Sequence, residues 1–364
     1  DFTFTRGSNL SATRVNEAQL IEKGRENLLL QSNQFDTTWD DSSVITLTSG
    51  QEDKDGGTSA WKLAKGAASS FLYQSITTSG VNTFSLYAKA DTKNWIMLQV
   101  SGIPSVRTFF DLGNGVLGSS LSNVINAEIE SIGNGWYRCS FTYNGNAGAV
   151  RVFPADGNND TSGTSSSIYI QDAQLEQGLA ATSVITTGAS TAQAGLLENT
   201  PRLDYSGGAT CPSLLLEPSR TNYLPLSEYL EGWVTIGSPT ITTNYGISPE
   251  GIQNSTRFVA VSGDRKYTAY NLAYAEYTYS IYVKGTGSLS LTDNTGAQRY
   301  DITPTSEWQR YDYTFTGAIS NVQIRTFSAC DVEIYGIQLE AGSYPTSYIP
   351  TYGTSQTRAG EICN

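Results

Sequence analysis

Apolar side chains recur at every second position over short stretches of this chain. Phe84, Leu86 and Ala88 alternate with Ser85, Tyr87 and Lys89, and Tyr279, Ile281 and Val283 alternate with Ser280, Tyr282 and Lys284. A period of two sends one set into a core and the other outward, which predicts strands with one buried face. Ile96, Leu98 and Val100 form a further set, leaving Trp95, Met97 and Gln99 outside. Asn114-Gly115 and Asn134-Gly135 predict hairpin turns, because Asn-Gly accepts the positive φ angles of tight turns. Helical periodicity is confined to Glu17 to Glu26, where a short helix is expected. Many short strands separated by turns predict an all-β fold of antiparallel sandwiches.

The pattern is written twice. Asn27-Leu28-Leu29, Trp39, the strand at Phe84, Trp136-Tyr137-Arg138 and Gln174-Leu175-Glu176-Gln177-Gly178 occur in one half. Asn222-Tyr223-Leu224, Trp233, the strand at Tyr279, Trp308-Gln309-Arg310 and Gln338-Leu339-Glu340-Ala341-Gly342 follow in the same order in the other. The step between copies shrinks from 195 at the asparagines (222 − 27) to 164 at the glutamines (338 − 174), so the first copy holds insertions. This is tandem duplication of a domain, not a short-period solenoid. It divides the chain into a lead-in (1–25), a first sandwich (26–187), a connector (188–220), a second sandwich (221–353) and the start of a further segment (354–364). The first residue is Asp1 and the last is Asn364, after a Thr-Arg-Ala-Gly run, which suggests a piece of a longer protein.

Charge narrows the partners. With 34 acidic against 22 basic residues the net charge is −12, so no basic face is expected for a phosphate backbone or an anionic membrane. No apolar run approaches the roughly 20 residues of a membrane-spanning helix. Neither nucleic acid nor membrane insertion is expected. Cys139 and Cys330 fall among apolar strand positions and should be buried thiols, while Cys211 and Cys363 lie where solvent can reach them. None has the spacing of a zinc site.

Histidine is absent, which removes Ser-His-Asp and Cys-His catalysis and the usual zinc hydrolase centres. No glycine-rich phosphate loop precedes a helix. Two carboxylates suffice for glycoside cleavage, but sequence alone singles out no pair among 34. The expectation is a protein without enzymatic activity. Trp39 and Trp233, like Trp136 and Trp308, occupy matched places in both copies and are expected to serve packing. Trp95 has no counterpart. An outward row of Tyr87, Lys89, Trp95 and Gln99 combines a ring for stacking on a pyranose with groups that reach its hydroxyls, and is the candidate glycan-binding site.

The run Leu214-Leu215-Leu216-Glu217-Pro218-Ser219-Arg220-Thr221-Asn222, the Gln-Leu-Glu-x-Gly closers and Thr346-Ser347-Tyr348-Ile349-Pro350-Thr351 resemble modules of tail-fibre and head-spike-fibre proteins of tailed bacteriophages. Those modules are jelly rolls similar in shape to carbohydrate-binding modules. The resemblance implies two tandem antiparallel jelly-roll sandwiches joined by an extended connector. It implies a structural place on the surface of the virion, with other virion proteins and further copies of the chain as partners. It also implies adhesion to bacterial surface polysaccharide, although a shared fold by itself never fixes function. The rival readings are a carbohydrate-binding region of a secreted polysaccharide-degrading enzyme and a depolymerase with two catalytic carboxylates. Such modules often carry a calcium ligand on the closing strand; Asp172 stands there in the first copy and Gly336 in the second.

Overall fold

A computed structural model describes residues 4–7, 10–42, 44–103, 105–293 and 298–363. The chain forms two compact units: Glu26–Gln193, and Asp1–Arg25 together with Ala194–Asn364. Among the described residues helical structure is limited to two 3-10 turns, Ser206–Gly208 and Leu230–Gly232. The helix expected over Glu17 to Glu26 does not form. Thr13–Val15 and Ile21–Lys23 pair as a hairpin instead, closed through Gln19 at φ +63°. Ile21 and Lys23 are both buried, while Glu22 between them turns out to Arg14 (2.8 Å), so a period of two prevails over the faint helical one.

In the unit Glu26–Gln193, two six-stranded antiparallel sheets face each other. One sheet runs Val124–Gly133, Trp136–Asn144, Val81–Ala90, Ser166–Gln177, Ala60–Lys65, Ile45–Gln51. The other runs Val116–Ser120, Val106–Asp111, Trp95–Ile103, Asn146–Ala155, Leu72–Thr78, Asp40–Asp41. Their inner faces close over a core that includes Phe84, Leu86, Leu98, Val100, Phe110, Phe141, Val152, Ile168 and Leu175. The chain changes sheets at Gly80 and at Gly145, and these corners are joined by a hydrogen bond from Gly145 N–H to the Gly80 carbonyl (3.0 Å). At the Asn134-Gly135 turn both residues have positive φ (53° and 77°), as the sequence predicts; at Asn114-Gly115 only the glycine does.

The second unit repeats this design with fewer strands. Arg265–Gly287 and Gln309–Arg325 run through both layers, each bending where the first copy breaks. One layer orders Thr240–Thr242, Thr256–Ala260, Cys330–Ala341 and the two long strands; the other carries the far ends of those strands with Leu289–Asp293 and Arg299–Ile302, and Val234–Ile236 at the Arg265 side. Tyr279 and Ile281 are buried here as Phe84 and Leu86 are in the first copy. Both units are antiparallel jelly-roll sandwiches. The step between copies falls from 195 at Phe84 (279 − 84) to 172 at Trp136 (308 − 136), which locates most of the insertion at Val116–Ser120 and Val124–Gly133.

The repeated motifs turn out to be one buried polar assembly, present in each copy. Asn27 is fully buried; its Nδ2 donates to the carbonyls of Ala173 (3.0 Å) and Ile185 (2.9 Å), and its Oδ1 accepts from the N–H groups of Leu29 and Leu175 (both 3.1 Å). Asn222 does the same with Ile337 (3.2 Å), Ile349 (2.9 Å), Leu224 (3.2 Å) and Leu339 (3.1 Å). Gln174 donates to Glu176 (2.6 Å) and accepts from Ile185 N–H (2.7 Å), while Glu176 holds Thr182 by its N–H and hydroxyl. Gln338, Glu340, Ile349 and Thr346 reproduce these contacts. Ser32 and Thr187 exchange N–H···Oγ bonds in one copy, and Ser227 and Thr351 in the other. Gly178 and Gly342 close the motif at φ +133° and +140°; a Cβ on Gly342 would lie 2.7 Å from the Arg220 guanidinium.

The lead-in hairpin, the connector from Ala194 and the tail all fold within the second unit. Leu203–Asp204 pairs with Ser213–Leu214, and Gln356–Arg358 with Arg220–Asn222. Buried Lys23 lies 2.8 Å from Glu228 and 3.0 Å from Glu250, and Arg25 also meets Glu250. Burial works against the Glu250 carboxylate, but Arg25 and Lys23 outweigh it and bring its pKa from 4.5 down to about 2. Cys139 and Cys330 are buried free thiols and Cys211 is an exposed one; the Cys363 side chain lies outside the described residues.

Two outcomes are expected. Asn27→Ala or Asn222→Ala strands two carbonyls and two N–H groups in the interior and should cost about 3 kcal/mol in urea unfolding of the whole chain, given about 1 kcal/mol or more per buried unpaired group. A loss under about 1 kcal/mol would show that the assembly does not hold the sandwich. The second outcome concerns acid. Glu250 has a folded pKa below its unfolded one, so its contribution is complete above pH 4.5 and is lost as pH falls towards 2. Unfolding midpoints compared at about pH 5 and pH 3 should therefore fall less for Glu250→Gln than for the natural chain.

Candidate functional site

Tyr87, Lys89, Trp95 and Gln99 do not form one row. Tyr87 and Lys89 belong to Val81–Ala90 in one sheet, Trp95 and Gln99 to Trp95–Ile103 in the other. All four point away from the core, so they occupy opposite outer faces of the sandwich. Alternation along a strand separates inside from outside, but Asp91 to Asn94 carry the chain from one sheet to the other and reverse the outward direction.

The Trp95 face is the richer one. In the ladder Trp95, Met97 and Gln99 stand opposite Asp111, Phe109 and Arg107 on one side, and Ala155, Phe153 and Arg151 on the other. Arg151 in turn stands opposite Tyr73. Met97, Phe109, Phe153 and Ala155 close into a small apolar cluster on this outer face, with Phe71 and Trp95 half-buried against it. The Phe71 ring lies 4.6 Å from Phe153 and 5.8 Å from Tyr73, centroid to centroid. The Arg151 guanidinium sits 4.8 Å over Phe71 and reaches Gln99 Oε1 at 3.4 Å, while its Nε is buried without a partner. Gly118 is required beside Trp95, since a Cβ there would lie 2.6 Å from the indole. Half-exposed rings and forked donors therefore share one sheet surface, which suits an apolar sugar face bordered by hydroxyls.

Phe71, Tyr73, Arg107 and Arg151 were not singled out in the sequence. The signal is there, since Phe71 and Tyr73 flank core residue Leu72, and Arg151 and Phe153 flank core residue Val152. What the sequence lacks is the strand order that sets them beside Trp95.

On the opposite face the Tyr87 ring is held between two cations, Lys54 at 5.1 Å and Arg138 at 5.5 Å. Lys54 Nζ also lies 3.5 Å from Asp172. Asp172 sits in a strand bulge at φ +50°, and Gly336 takes φ +61° at the matching bulge. An aspartate tolerates this left-handed position, which accounts for the exchange of Asp for Gly. The calcium expectation does not fit. Burial raises the Asp172 pKa, with Asp55 and Asp53 adding to it and the Lys54 ammonium opposing, and no cluster of three or more His, Cys, Asp or Glu suited to a metal occurs among the described residues.

Of the matched tryptophans, Trp39 donates to the Gln31 carbonyl and Trp233 to that of Leu226, and Trp136 is fully buried; these three serve packing. Trp308 is half-buried with its N–H on the Ile247 carbonyl (3.0 Å). With Tyr282, Arg310, Tyr348, Leu20 and Ile21 it lines a cleft of about 620 Å³ within the second unit.

No protein-family model matches this chain, and no curated protein matches it. Among solved structures it is similar to the tandem CBM22-1–CBM22-2 domain of Paenibacillus barcinonensis Xyn10C, at 10% identity over 92% of this chain and 99% of that one, with a TM-score of 0.26. It is also similar to the CBM22-1–GH10 modules of Clostridium thermocellum xylanase 10B complexed with xylohexaose, at 16% identity and TM-score 0.26, covering 36% of this chain and 30% of that one. A third is the enzymatically active domain of bacteriophage CBA120 tailspike protein 4, at 13% identity and TM-score 0.25, covering 32% of this chain and 21% of that one. The chain thus spans less than a third of the xylanase and tailspike structures it resembles. At these scores the fold assignment rests on the sheet order of the two units themselves.

Proposed function

We propose that this chain is a non-enzymatic glycan-binding protein of a bacteriophage particle, gripping bacterial surface polysaccharide through the outer face of its first sandwich. One observation carries the glycan reading: Phe71, Tyr73 and Trp95 share an open sheet surface with Gln99, Arg107 and Arg151. Rings stack on the C–H faces of pyranoses, and amide and guanidinium groups meet the hydroxyls at their rims. Trp95 and Gln99 stay in the site from the sequence reading; Tyr87 and Lys89 leave it, because they face the other way. The place on the virion, with other virion proteins and further copies of the chain as partners, is supported by the resemblance of the Leu214 to Asn222 run and the closing motifs to phage fibre modules. A carbohydrate-binding region of a secreted enzyme would use the same surface, so the glycan reading does not depend on that choice.

The test is affinity electrophoresis of the whole chain in gels containing purified bacterial surface polysaccharides. Trp95→Ala and Phe71→Ala should each weaken retention by about 1–3 kcal/mol, the range of a well-packed aromatic contact, with melting temperatures showing that the fold persists. Tyr87→Ala should leave retention unchanged. The reverse result, with Tyr87 needed and Trp95 dispensable, would move the site to the opposite sheet. Release of reducing ends from any retained polysaccharide would replace the binding role with a catalytic one.

A further inference from the structure

The second sandwich has a corresponding outer face, and its chemistry differs. Arg265–Gly287, Gln309–Arg325, Leu289–Asp293 and Arg299–Ile302 follow the order of Leu72–Thr78, Asn146–Ala155, Trp95–Ile103 and Val106–Asp111 in the first. Leu289, Leu291 and Ile324 point into the core, so their neighbours in the ladder point out. Arg265 stands directly opposite Arg325, Arg325 opposite Ser290, and Arg299 opposite Thr292. Three guanidinium groups thus project from one sheet surface of a chain whose net charge is −12.

Two of these arginines meet over a single exposed ring, and the third, Arg265, stands opposite one of them. The Arg299 guanidinium lies 3.7 Å from the Phe327 centroid and that of Arg325 lies 4.5 Å from it. Arg299 has one acidic partner, Asp301 at 2.7 Å, in an exposed pair that water screens. Arg265 and Arg325 have no carboxylate within ion-pair distance among the described residues, and the Nε of each is buried without a hydrogen-bond partner. The Arg325 pKa is lowered, first by burial and then by Arg265 and Arg299; no acidic group opposes this. Like charges held together around an apolar ring destabilise one another unless an anion joins them.

We propose that Arg299 and Arg325 over Phe327, with Arg265 opposite Arg325, form a site for an anionic substituent, a carboxylate or a sulfate ester, on a sugar chain. The planar fork of arginine matches the paired oxygens of either group, and the Phe327 edge offers the sugar an apolar seat. The site rests on the glycan reading for the sugar but not for the charge. It makes acidic polysaccharides the ligand class of the second copy, which lacks the tryptophan of the first.

The experiment compares the whole chain with Arg265→Gln/Arg325→Gln and with Trp95→Ala. Each is run in gels containing polygalacturonate, dextran sulfate or unsubstituted dextran. The natural chain should be retarded by one or both charged polymers and not by dextran through this site. Polygalacturonate alone would mark carboxylate as the group, dextran sulfate alone the sulfate ester, and both together charge itself. The double variant should bind the charged polymer about tenfold more weakly, the scale of losing hydrogen bonds to a charged group, while Trp95→Ala keeps that retardation. In the natural chain it should also weaken as sodium chloride rises to roughly 0.3 M. No retardation by either charged polymer, or a double variant that binds as the natural chain does, overturns the site. Failure of the first-sandwich reading would look different, with Trp95→Ala and Phe71→Ala silent on bacterial polysaccharides and the arginine effect intact.

Discussion

Each sandwich depends on one buried asparagine. Asn27 and Asn222 tie the strand that begins the domain to the strand that closes it and to the segment that leaves it, with four hydrogen bonds apiece. In a dry interior such a group strengthens the structure only when every donor and acceptor is met. On the closing strand a glutamine and, two positions later, a glutamate, with the threonine that the glutamate holds, complete that requirement in both copies. This is why the two halves agree at Asn, Gln, Glu, Thr and Gly while Phe84 has become Tyr279 and Leu86 has become Ile281. An apolar core accepts a change of shape more readily than a polar network accepts a missing partner.

With the closure fixed, the outer faces are free to diverge. The first copy sets rings and arginines in register on a sheet widened by Val116–Ser120, while Val124–Gly133 widens the sheet opposite. The second copy runs its long strands unbroken through both layers and gathers three arginines on one face, two of them over Phe327. The same scaffold thus presents an aromatic surface in one case and a cationic one in the other, on a chain that is acidic as a whole.

The core was legible in the sequence because burial imposes a period of two, and Phe84, Leu86, Tyr279 and Ile281 obey it. The duplication was legible because the polar closure cannot drift. The helix expected near Glu17 was not, since ten residues of mixed polarity carry too weak a period to compete with the pairing of Ile21 and Lys23. The glycan row was half legible. Trp95 and Gln99 point outward as read, but the sheet to which each strand belongs is a property of pairing between distant segments, so Tyr87 and Lys89 were joined to them and Phe71, Tyr73 and Arg151 were overlooked. Asp172 misled for a local reason: an aspartate in a left-handed bulge resembles a ligand when its φ angle and its lysine neighbour are unseen.

The closure also decides how such a domain meets mechanical force. The asparagine grips a carbonyl near the point where the chain leaves the sandwich, Ile185 in one copy and Ile349 in the other, so the incoming and outgoing segments are stapled at a common neck. A pull on the two ends is taken up at that neck, by short bonds sheared together, before it reaches either sheet.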